Sequence, residues 1–168
     1  MVTLKKTKLR NQKFLFTNEP LTIQDYVIFV RNNSGISFSG KLEELQNLSI
    51  GVLNGASYGE KFDKLAATGG FKKIEFAQSY ESNFRKLLAN RMDAVICSRD
   101  VGMEFIHGLL LSDKIKIIGP PIESTKSHFA INKKFPNKLI LENFDLMISK
   151  MREDGTLKKI RKKYDINR

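Results

Sequence analysis

The chain has 168 residues, 41% of them apolar, and a formal net charge of +11. That length supports a sizeable core, and that apolar share excludes a disordered chain. A single cysteine, Cys97, excludes an intrachain disulfide and a multi-cysteine metal site, and no run of about 18 apolar residues is present to span a membrane.

In chain order, Tyr26–Val30 is β-branched and aromatic and is predicted as a strand, broken by Asn32-Asn33-Ser34-Gly35. Lys41–Leu45 is a short helix and Ser49–Leu53 a strand. Gly55–Gly59 is a turn into a helix over 58–67. Lys73–Ala77 is a strand, and Ser79 caps a helix of 80–90 with Phe84, Leu87 and Leu88 on one face. Asp93–Cys97 is a continuous apolar strand, the pattern of a strand buried on both faces, and Cys97 within it is a small buried hydrophobe. Asp100–Leu110 is helical. Lys114–Ile118 and Ser127–Ile131 are two strands separated by Gly119-Pro120-Pro121. A helix runs from Pro136 to Arg152 with Ile140, Phe144, Met147, Ile148 and Met151 on one stripe. Asp154-Gly155 interrupts it, and a last helix turns Leu157, Ile160 and Tyr164 inward. Strands alternating with helices predict an α/β fold with a mainly parallel sheet.

The charge sits at the ends. Residues 1–13 carry five Lys/Arg and no acid, residues 150–168 carry eight against three acids, and residues 14–149 are nearly neutral. Basic ends can meet nucleic acid. Here Lys158, Lys159, Lys162 and Lys163 interleave with apolar positions, as on a solvated helix face. No stacking aromatics alternate with them as a single-strand binder requires. No nucleic-acid partner is expected. Met1–Leu4 leads into Lys5 and Lys6 without an apolar segment, so no signal peptide is visible.

Several residues carry possible chemistry. His107 and His128 have no ligand spacing, and nothing in the sequence asks for a metal or cofactor. Gly55-Ala56-Ser57-Tyr58-Gly59 stands between a strand and a helix, where backbone amides and the Ser57 hydroxyl favour an anion. It lacks the Lys-Ser/Thr pair that closes a phosphate loop. Asp100, Glu104 and His107 share a helical face, which would serve an acid/base pair in an enzyme but equally a solvated surface. Asp100 also suits its helix start as a favourable charge.

Thr7-Lys8-Leu9-Arg10, with Phe14-Leu15-Phe16-Thr17 after it, resembles a segment of the family-3 extracellular solute-binding proteins of ABC transporters. Gly40–Leu53 resembles that family's entry to its second lobe. Gly55-Ala56-Ser57 is similar to its ligand turn, and Asn90-Arg91-Met92-Asp93-Ala94 to its Gly-Arg-x-Asp-Ala block, with Asn90 where glycine is usual. Asp154-Gly155-Thr156 to Tyr164 resembles its C-terminal helix. The resemblance implies a type II periplasmic-binding-protein fold, with one complete α/β lobe and an incomplete first lobe. The expected divisions are a remnant of lobe 1 over 1–31, lobe 2 over 33–127, and helices 128–168 returning to lobe 1.

The implied function is solute binding between two lobes, without catalysis. Some relatives on this fold are dehydratases, and a ligand-sensing domain without a transport role is a further alternative. The implied partners are a small anionic or amino-acid-like solute and an ABC permease, and the implied location is periplasmic. Arg10 would clamp a carboxylate, with Ser57 and the amides of Ala56 and Ser57 as partners on the second lobe. Thr3 falls at another small-hydroxyl position. Ser98 stands where amino-acid binders place an Asp for the ligand ammonium, with Asp100 two residues on. Lys5 replaces a small hydroxyl and adds positive charge, which favours a dicarboxylate or other anionic solute. With so little of the first lobe's sheet present, its helices are expected to expose apolar stripes that a homo-oligomer buries.

Overall fold

Period-two alternation in two apolar runs decides the central layer of the fold. The computed structural model describes residues 2–163. In it Thr22–Arg31 (β3) sends Val27 and Phe29 to one face and Ile28 and Val30 to the other, all fully buried. Ala94–Ser98 (β6) divides likewise, Val95 and Cys97 against Ala94 and Ile96. Each face is then covered by helices, as an α/β sheet requires.

The chain divides into two units: unit 1 is Met1–Gln24 with Thr125–Arg168, and unit 2 is the continuous Asp25–Ser124. The sequence reading put the divisions near 32 and 127. The strands β3 and Ile115–Asn132 (β7) each run through a division, so the change of unit falls inside a strand and not at the Asn32–Gly35 break.

In unit 2, Ser49–Leu53 (β4) pairs in parallel with Lys73–Ala77 (β5) on one side and with β6 on the other. β3 pairs antiparallel with β6, Tyr26 opposite Ser98, and β7 lies beside β3. One face packs Phe62 of Glu60–Ala67 (α2) with Phe71, Phe38 and Leu45, the last closing a 3₁₀ turn over Leu42–Leu45. The other packs Phe84 and Leu87 of Tyr80–Leu88 (α3) and Ile106 of Arg99–Gly108 (α4), with Phe29 edge-on to Phe84 at 5.3 Å. Ser79 caps α3, its hydroxyl accepting from Ser82 N at 3.2 Å.

Asn90 follows α3 with φ 58°, and the amides of Asn90 and Arg91 donate back to the carbonyls of Leu87 and Lys86. This Schellman ending needs a left-handed residue, which asparagine adopts more readily than most after glycine. That is why Asn90 can stand where glycine is usual. Arg31 Nη1 donates to the carbonyls of Leu87 and Met92, both at 2.8 Å, and fixes the same corner.

Gly119-Pro120-Pro121 does not separate two strands: β7 is continuous over 18 residues. The β1 and β2 ladders occupy only Ser127–Asn132, so these two prolines withhold no amide from them. Gly119 takes φ 62° and comes so close to Phe38 that a Cβ would lie 2.2 Å from its carbonyl oxygen.

In unit 1, Val2–Lys5 (β1) and Phe14–Phe16 (β2) both pair antiparallel with β7. Between them Lys8–Lys13 (α1) is a short helix that its polar sequence did not announce, capped by the Thr7 hydroxyl accepting from Arg10 N. Phe129 stacks on Phe144 of Leu139–Glu153 (α5) at 4.5 Å. Asp145 of α5 accepts from the amides of Asn18 and Glu19, and Arg152 pairs with Glu19.

The buried stripe of α5 is Leu141 and Ile148. Met147 of the predicted apolar stripe is 58% exposed, since Leu141 and Ile148 set the buried face. In Thr156–Lys163 (α6), Leu157 is buried, but Ile160 is exposed, contrary to expectation. Tyr164 lies outside the described residues.

Candidate functional site

The candidate residues fall into a group in each unit. In unit 2 the topology gathers four of them at one edge. β4 and β6 are parallel neighbours, Ile50 opposite Ala94, so their carboxyl ends lie on the same side of the sheet. Ala56 and Ser57 follow the end of β4. Ser98 ends β6, and Asp100 lies in the first turn of α4. The carboxyl edge is where open α/β sheets hold ligands, because the chain opens there into loops and helix starts.

The turn after β4 is tightly built. Gly55 takes φ 72°, and Ala56 N donates to Leu53 O at 3.2 Å. Ser57 Oγ donates to Asp63 Oδ2 at 2.5 Å, and Tyr58 N donates to Asp63 Oδ1 at 2.9 Å. Asp63 of α2 therefore already supplies a carboxylate to the Ser57 hydroxyl that the sequence reading offered to a ligand and to the neighbouring Tyr58 amide, while the Ala56 amide is spent on Leu53. Asp63 was missed at the sequence level; its only signal was an acid in the first turns of a predicted helix.

Tyr58 also joins a buried aromatic group. Its Oη accepts from Leu53 N at 2.7 Å and bonds with Tyr80 Oη at 3.0 Å, and its ring meets Tyr26 edge-on at 5.3 Å. Burial pushes the Tyr58 hydroxyl up to about 12 and raises that of Tyr80 further, so both stay protonated. Burial likewise raises the Cys97 thiol, which leaves it unreactive at neutral pH. Ser98 is buried and makes no side-chain cap bond to α4. Glu104 and His107 are exposed on α4.

In unit 1 the structure brings Lys5 and Arg10 together. Lys5 ends β1 opposite Ser127, and Arg10 Nη1 donates to the Lys5 carbonyl at 3.3 Å. Arg10 is half-buried, and among the described residues no carboxylate forms an ion pair with it. Thr3 lies two residues before Lys5 on the same face of β1 and is exposed. His128 is buried with Nδ1 3.0 Å from the Thr17 carbonyl; burial and then the Lys6 charge lower its pKa, which keeps the ring neutral.

No family model matches the chain, and no curated protein matches it in sequence. Solved structures do match. An ancestral arginine-binding protein bound to arginine is 24% identical with a TM-score of 0.79, over 96% of this chain and 68% of its own. A histidine kinase sensor domain with similarity to periplasmic binding proteins is 21% identical, TM-score 0.79, over 96% and 67%. The substrate-binding protein of an amino acid ABC transporter is 21% identical, TM-score 0.77, over 98% and 69%. The chain shares the fold of these three proteins and spans about two thirds of the length of each.

Proposed function

We propose that the chain binds a small, carboxylate-bearing, amino-acid-like solute, as the solute-binding component of an ABC-type transport system or as a part of one. The observation that carries this reading is Arg10. The residue is half-buried, and its guanidinium spends its one described side-chain bond on a main-chain carbonyl. A planar guanidinium fork in that condition suits a carboxylate held by two parallel bonds. Within unit 1, Thr3 beside Lys5 is a further candidate contact; in unit 2, Ala56, Ser57, Ser98 and Asp100 at the carboxyl edge are candidate ligand residues of that unit. No turnover is proposed, since Glu104 and His107 stand exposed on α4.

The test is a thermal-shift screen of the purified chain against amino acids, dicarboxylates, polyamines and small sugars. A ligand that binds only the folded chain raises the melting temperature by mass action. The expected result is a rise with one carboxylate class that disappears in Arg10→Ala. Melting that no solute moves, or a shift that Arg10→Ala leaves intact, overturns the reading.

The sensor-domain neighbour favours a second reading, a ligand-sensing module without a transport role. The two differ in partner: the transport reading predicts that the solute-loaded chain binds an ABC-type permease in vesicles, and the sensing reading predicts none. The transport reading also places the protein in the periplasm, which cell fractionation tests. Copies of the chain are proposed to associate through the α5 stripe of Leu139, Leu146 and Met147, exposed at 64%, 71% and 58%. Light scattering at micromolar concentration should then give more than the monomer mass.

A further inference from the structure

We propose that Lys5 Nζ receives a second negative group of the solute, so that the preferred solute is a small diacid and not a simple monocarboxylate; this rests on the solute-binding reading above. Lys5 Nζ is buried and has no hydrogen-bond partner among the described residues. Lysine is almost never buried without a partner, because the ammonium loses its hydration and gains nothing in return. A buried charge is tolerated when an opposite charge meets it.

Among the described residues no carboxylate forms an ion pair with Lys5. Of the acids in unit 1, Glu19 pairs with Arg152 and Asp145 accepts from the amides of Asn18 and Glu19. None of the described ion pairs involves Lys5 or Arg10. The two cations are held on one piece of backbone. Lys5 is fixed as the last residue of β1 against Ser127, which is itself buried, and Arg10 reaches the Lys5 carbonyl. The pair differs in what it recognises: the guanidinium fork matches one planar carboxylate, and the lysine is a compact point charge that takes a second anionic group.

The experiment compares L-glutamate and succinate with L-glutamine, a near-isosteric monoacid, by thermal shift on the wild-type chain and on Lys5→Met and Lys5→Arg. A charge-assisted hydrogen bond is worth about tenfold to a hundredfold in affinity. The wild type should therefore respond to the diacids at concentrations at least about tenfold lower than to glutamine. Lys5→Met should lose that preference while keeping the glutamine response, and Lys5→Arg should retain part of it. Equal responses to glutamate and glutamine in the wild type, or a diacid preference surviving in Lys5→Met, overturn the proposal. So does a Lys5→Met chain that melts lower than wild type without solute, since Lys5 would then be paired within the fold. A glutamine response that needs Arg10 but shows no diacid preference sinks this inference alone. No response to any solute sinks the solute-binding reading with it.

Discussion

Asp63→Ala probes whether the turn after β4 is held from below by α2. The substitution removes the acceptor of Tyr58 N and of Ser57 Oγ. Tyr58 is 3% exposed, so its amide is left buried without a partner, which costs about 1–3 kcal/mol. Ser57 is half-buried and its hydroxyl can turn to water, so its share is small. Losing an acid from the start of α2 adds about 0.3–1 kcal/mol, because the helix start favours negative charge. The total expected loss is about 1–4 kcal/mol. Asp63→Asn keeps a carbonyl oxygen for the Tyr58 amide and gives up only the charge, so it should cost about 1 kcal/mol. Urea unfolding followed by circular dichroism reads both as shifts in midpoint at constant slope. An Asp63→Ala loss below about 0.5 kcal/mol, or an Asp63→Asn loss equal to it, would refute this account of the turn.

Leu110, just beyond the C-cap of α4, takes φ 55° and is 84% exposed, so Leu110→Gly relieves left-handed strain of about 1–2 kcal/mol at little packing cost; a chain that melts below wild type contradicts this. The side-chain amide of Asn83 is fully buried and finds no partner for either atom among the described residues, so Asn83→Leu should leave the urea midpoint unchanged or raise it, and a loss above about 2 kcal/mol would show the amide to be paired. His128 has a lowered pKa in the folded chain, so the unfolded chain binds the extra proton first as pH falls. The stability it contributes is complete above the unfolded value of about 6.5 and is lost as pH drops through that value toward the folded one. His128→Gln should flatten the melting temperature against pH in that window; an unchanged profile counts against it.

The central strands were legible because their patterning needs no tertiary knowledge. Ser49–Leu53 and Lys73–Ala77 have the predicted ends, and Ser79 announced its helix by its hydroxyl. Gly119-Pro120-Pro121 misled because a proline stops a strand only where its missing amide is needed, and that depends on which neighbours pair at that point. Ile160 misled for a related reason. A helix with apolar residues on more than one face does not say which face the fold covers. At the candidate site, the types and order of Lys5, Arg10 and Ser57 could be read from the sequence. The commitment of Ser57 to Asp63 could not, nor could the burial of the Lys5 ammonium, since each depends on how a loop or strand end settles against its surroundings.

The interleaving of the two units bears on how the chain is made. Unit 2 is one uninterrupted stretch of 25–124, whereas unit 1 is stitched from both ends. β1 finds its partners at Ser127–Ala130, so all the residues between them must be synthesised before β1 can pair. Closing so long a loop is slow, and domains tend to fold as they emerge. Unit 2 should therefore be complete while the N-terminal strand still waits on the ribosome with its basic flank unpaired. The order of synthesis then makes the early-emerging Lys5 and Arg10 among the last residues to reach their final surroundings.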